Sequence, residues 1–91
     1  MFVIVDEPHA EWIGEYANKS EAYAMLRRLA DLPWDDATNR CPCMSWRTCG
    51  RQYHLIEFDT SAEPWRILNR EAQLEVSAKE TVWLSKSATA G

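Results

Sequence analysis

The sequence predicts a small α+β domain, a mostly antiparallel sheet of four to five strands packed against one main helix. Three observations predict it. Ala22, Met25, Leu26 and Leu29 recur at i, i+3, i+4 and i+7, the stripe of one amphipathic helix. Tyr53 to Asp59 and Gln73 to Ser77 alternate with period two, the signature of half-buried strands. The chain has 91 residues, 46% hydrophobic and 26% charged, which suits one modest core and is not the composition of a disordered segment.

Phe2-Val3-Ile4-Val5 is a β-branched run closed by Asp6-Glu7-Pro8, and reads as a strand and a turn. Its two faces are both apolar, so it is expected to be central and covered on both sides. Glu11 to Tyr16 has the aromatic and β-branched content of a second strand, with Pro8-His9-Ala10 as the connection and His9 exposed. The helix is expected over 20–31. Ser20 caps its start, Glu21 sits at the positive end of the dipole, and Pro33 stops it because the residue before a proline avoids the α region. Arg27 and Arg28 fall off the apolar stripe.

From Trp34 to Arg51 neither period appears, which makes a long loop for so small a domain. On the strand that follows, His54, Ile56 and Phe58 share one face, and Tyr53, Leu55, Glu57 and Asp59 share the other. Thr60 to Pro64 reads as a turn, with Ser61 capping a short helical turn through Trp65-Arg66-Ile67-Leu68. Residues 73–77 and 81–84 read as paired strands joined through Ala78-Lys79-Glu80. The five Trp are spread along the chain and are expected to fill the core and its rim. The domain is expected over 1–84, with 85–91 a small, polar tail.

Composition narrows the function. A net charge of −4 and a pI near 5.1 disfavour a nucleic-acid partner, which would want a positive surface. No apolar run reaches the length of a membrane helix, and the acidic start Asp6-Glu7 does not resemble a signal peptide, so a cytoplasmic location is expected. Three Cys are too few for a disulfide scaffold and are expected to be reduced thiols. Three Gly leave no room for a glycine-rich phosphate loop.

One segment stands out. Arg40 to Tyr53 holds all three Cys and three Arg, and no Asp or Glu lies between Ala37 and Ile56. Within it, Ser45-Trp46-Arg47-Thr48-Cys49-Gly50-Arg51-x-Tyr53, followed by Ile56-Glu57-x-Asp59, resembles a segment of short, uncharacterised bacterial proteins. Leu32-Pro33-Trp34-Asp35 and Pro64-Trp65 fit the same likeness, which covers about half the chain. The resemblance implies that the loop is a feature of the type. It implies no activity, and no functional residue is carried across from it.

Four readings of the loop compete. The Cys and Trp46 can pack under the connection while the Arg residues pair with the acidic flanks. Cys41, Cys43, Cys49 and His54 are the ligand types of a zinc site, although C-x-C-x5-C-x4-H is a poor spacing; His54 is otherwise an inward strand histidine bonded to a backbone carbonyl. Cys49 lies between Arg47 and Arg51, where cations favour the thiolate, and Cys43 can serve as its resolving partner. Arg40, Trp46, Arg47, Arg51 and Tyr53 can instead form a cationic, aromatic surface for an acidic protein partner or a small anionic ligand.

Elsewhere, Asp35-Asp36 reads as a solvated turn, and Glu57 and Asp59 as partners for Arg. Two His without an orienting partner support no catalytic triad. The expected function is a cytoplasmic, non-catalytic binding or interaction module without a cofactor. A redox-responsive or zinc-binding module is the alternative.

Overall fold

The computed structural model describes residues 1–40 and 49–84. Its elements are β1 (Phe2–Asp6), a 3-10 turn (Glu7–His9), β2 (Glu11–Tyr16), α1 (Lys19–Asp31), β3 (Arg51–Asp59), β4 (Arg66–Val76) and β5 (Thr81–Trp83). The strands form one sheet in the order β2-β1-β3-β4-β5, antiparallel throughout. The expected fold class is the observed one. Among the described residues no helix is long and apolar enough to cross a membrane.

The helix forms where its stripe lies, and its cap is two residues earlier than expected. Asn18, not Ser20, is the N-cap: its Oδ1 accepts from the Glu21 backbone N–H at 2.9 Å. Glu21 reaches back to accept from the Ala17 N–H at 3.3 Å, so two otherwise orphaned donors are satisfied. Leu32 is extended, as its position before Pro33 demands. Ala22, Leu26 and Leu29 are fully buried, and Met25 packs partly against them.

The register of the sheet decides what this stripe meets. Phe2, Ile4 and Asp6 alternate with Val3 and Val5 along β1, and Ile4 lies opposite Leu55 of β3. Tyr53 lies opposite Leu74 of β4. Ile4, Tyr53, Leu55, Leu74 and Val76 join the helix stripe in one buried cluster. The division of β3 into a Tyr53/Leu55 face and a His54/Ile56/Phe58 face is the one expected from alternation.

The other face of β1 is covered as well, as its two apolar faces lead one to expect. Val3, Val5 and Ile56 form a separate cluster with Phe58 packed against it, and Val3 is 0% exposed. A bulge between Ile4 and Val5 sets Val5 opposite Trp12 of β2. The Trp12 ring lies 6.3 Å from the Phe58 ring, and the Trp65 ring lies 5.7 Å from Phe58. Side chains, rather than a helix, roof this face.

Further expectations are corrected. The helical turn through Trp65 to Leu68 does not form. β4 begins at Arg66 and pairs at once with β3, Asp59 opposite Arg66 and Phe58 opposite Ile67. The strand therefore runs 11 residues, well beyond 73–77. Its first half is exposed and lacks apolar alternation, so pairing rather than pattern defines it. Ser61 belongs to the preceding turn, where its N–H and hydroxyl both donate to Asp59 Oδ1. His9, expected to be exposed, is partly buried and bonded to Asp6. Trp34 and Trp83 do pack against the core, whereas Trp12 and Trp65 are 54% and 41% exposed.

Candidate functional site

The acid-free segment ends at a buried polar network rather than at an open cationic surface. Arg51 opens β3 and is 5% exposed. Its Nη1 donates to Asp6 Oδ2 at 3.2 Å and to Glu11 Oε1 at 2.5 Å. Its Nε donates to the Asn39 carbonyl at 3.1 Å, and its Nη2 to the Arg40 carbonyl. Asp6, the last residue of β1, also accepts from the Gln52 N–H at 3.1 Å and bonds His9 Nδ1 at 2.6 Å. Burial alone works against the Arg51 charge. The hydrogen bond to Glu11 and the fields of nearby groups outweigh it and hold the pKa above its ordinary value.

Tyr53 and Asn39 complete this network. The Tyr53 hydroxyl donates to Asn39 Oδ1 at 2.9 Å. Asn39 Nδ2 donates to the carbonyls of Leu29 and Pro33 at 3.0 and 3.1 Å, closing the end of α1. The Tyr53 ring is fully buried, which raises its pKa above the usual phenol value even though Arg51 works against the rise. The Arg51 guanidinium lies 5.9 Å from the centroid of that ring.

Of the expected contact residues, Arg51 and Tyr53 thus lie inside the fold, as the base of the loop. Glu57 and Asp59 were the expected partners of the loop Arg residues. Asp6 and Glu11 hold Arg51 instead, and Asp59 holds Arg66 at 3.0 Å. Arg40 is exposed and donates from Nε to the Asp35 carbonyl at 2.9 Å. Cys41, Cys43, Trp46 and Arg47 lie outside the described residues.

Of the redox and metal residues, Cys49 and His54 are described. Cys49 is half-buried, just before Gly50. A Cβ on Gly50 would stand 3.0 Å from the Val76 carbonyl oxygen, so the bare backbone there lets the loop return close to β4. His54 is on the helix-free face, not the inward one. Its Nε2 bonds Gln52 Oε1 at 2.9 Å, and its Nδ1 accepts from Arg70 Nε at 3.4 Å, so side chains and not a backbone carbonyl satisfy it. Burial lowers its pKa, with Asp6 opposing weakly. Among the described residues no group of three or more His, Cys, Asp or Glu could hold a metal ion.

The surface that sequence reasoning missed is the aromatic roof. Trp12, Phe58 and Trp65 come from β2, β3 and the turn before β4. Ile67, 52% exposed, lies opposite Phe58 and extends the row. No local pattern joins residues so far apart; only the strand order places them together. Such a contiguous apolar surface on a small acidic protein is a feature of interaction sites. A shallow recess lined by Pro8, Gly50, Arg51, Gln52 and Glu75 opens elsewhere, beside the network. No family model matches the chain, and neither the curated proteins nor the solved structures include a match.

Proposed function

We propose that this chain is a non-catalytic binding module that presents the Trp12, Phe58, Trp65 and Ile67 surface to a protein partner. The observation that carries the reading is the exposure of three large apolar side chains on a sheet face that no described element covers. Trp is the side chain most often found to dominate binding energy when it becomes fully desolvated. The three Cys suit a reducing compartment, and the cytoplasm is part of the same proposal.

A second contact, to an anionic partner or small anionic ligand, is favoured by one specific observation. Arg51 donates to the carbonyls of Asn39 and Arg40, which ties the start of the loop to its end. Arg40, Trp46 and Arg47 would make that contact, with Arg51 and Tyr53 as foundation. Capture from a lysate tests both. Trp12→Ala with Trp65→Ala should lose the partners that the wild-type chain recovers. Arg40→Ala with Arg47→Ala should weaken the salt-sensitive ones. Unchanged recovery by the folded Trp variants would remove the aromatic surface from the reading.

A further inference from the structure

We propose that His54 is a proton-operated latch for Arg70 on the helix-free face. With the ring neutral, Arg70 is held across the sheet; with the ring protonated, it is let go. The latch goes beyond the binding role proposed for the aromatic surface and does not depend on it.

The bond pattern fixes the state of the ring. An arginine Nε carries a proton and cannot accept, so the ring nitrogen that faces it must be the acceptor. Arg70 Nε donates to His54 Nδ1 at 3.4 Å. The neutral ring therefore carries its proton on Nε2, which donates to Gln52 Oε1 at 2.9 Å. Arg70 is held at a second point by the ion pair of its Nη2 with Glu7. Gln52, His54, Arg70 and Glu7 thus form one chain of side chains, from β3 over β4 to the turn after β1.

Protonation acts on one end of this chain. A second ring proton has to go to Nδ1, because Nε2 already holds one. Nδ1 then becomes a donor facing a donor, and two cations stand where there was one. The Gln52 end keeps its bond in the same direction. Arg70 is left with Glu7 alone, and an ion pair between side chains 37% and 49% exposed holds an arginine weakly. The Glu7–His9 turn is then held chiefly at His9, by its bond to Asp6. Pro8, between those two residues, lines the shallow recess with Gln52 and Glu75, so the latch loosens one wall of that recess.

The surroundings set where the latch works. Among the described residues, the charged groups reaching this face are Glu7 of the turn, Glu15 of β2 opposite Val3, and Arg70 and Glu75 of β4. β1 sets Val3 and Val5 on it, β5 carries no charge, and His9 is bonded to Asp6. Burial of the ring opposes its charge, and the field of Asp6 from the other side of β1 only partly offsets this. The latch is therefore closed at neutral pH and opens below the ordinary histidine value of 6.5.

Nitrogen-15 NMR of the full chain, between about pH 8 and pH 5, tests this. The neutral His54 ring should be the Nε2–H form, and the Arg70 Nε resonance should shift with the same midpoint as His54. In His54→Gln the side-chain oxygen accepts at every pH, so the Arg70 resonance should no longer follow that midpoint. Arg70→Met removes both the donor and the neighbouring cation, and should raise the His54 midpoint. Circular dichroism checks that both variants keep the fold, and the first two readings need only the wild-type protein. A neutral ring protonated on Nδ1, an Arg70 resonance that ignores the His54 midpoint, or a midpoint unmoved in folded Arg70→Met overturns the latch.

Discussion

Arg51 and Asp6 lie 45 residues apart in sequence, yet Arg51 Nη1 donates to Asp6 Oδ2 at 3.2 Å with both side chains buried. This pair joins β1 to β3 where the acid-free loop re-enters the sheet. Removing the cation would strand a buried carboxylate and release two loop carbonyls. Arg51→Met should therefore cost about 3 to 5 kcal/mol, read as a lower urea midpoint. Glu11→Gln acts on the half-exposed partner and should cost about 0 to 1 kcal/mol. Equal, small effects from both would mean that the pair is not desolvated.

Tyr53→Phe tests the second half of the network. It keeps the buried ring and removes the donor to Asn39 Oδ1, leaving that acceptor buried without its partner. The expected loss is about 1 to 3 kcal/mol by chemical denaturation. An unchanged midpoint would show that another donor replaces the hydroxyl.

Leu26→Ala tests the seating of α1 on the sheet. Leu26 is fully buried between the helix and Ile4, Tyr53 and Leu55 of the same cluster. Truncation should cost about 2 to 5 kcal/mol, the range for a core leucine that leaves a cavity. Leu68→Ala, at an exposed site on β4, should change stability far less.

His54 gives a pH signature of known sign. Burial lowers its folded pKa below the ordinary 6.5, so the unfolded chain binds its proton more readily. Stability from this residue is full above 6.5, falls as pH drops through 6.5 toward the lowered folded value, and levels off below it. His54→Gln should flatten that part of the wild-type stability profile. Proton NMR should show a His54 midpoint below 6.5, and a midpoint at or above 6.5 would reverse the expected slope.

Local patterns in the sequence were enough for the helix, for its stop before Pro33, and for the two faces of β3. Each depends on neighbours within a few residues: the spacing of Ala22, Leu26 and Leu29, the backbone restriction before proline, and period-two alternation. What only the tertiary structure decided was the fate of the loop's charges and the location of the exposed aromatics. Alternation could place Arg51 and Tyr53 on one strand face, but it could not reveal that this face meets Asp6, Glu11 and Asn39. Nor could it show that β4 starts at Arg66, since the first half of that strand is specified by pairing with β3 and not by its own composition. Trp12, Phe58 and Trp65 meet for the same reason. Strand order and a bulge set distances across the sheet, and these depend on hydrogen-bonded register between segments remote in sequence, which no local window of residues encodes.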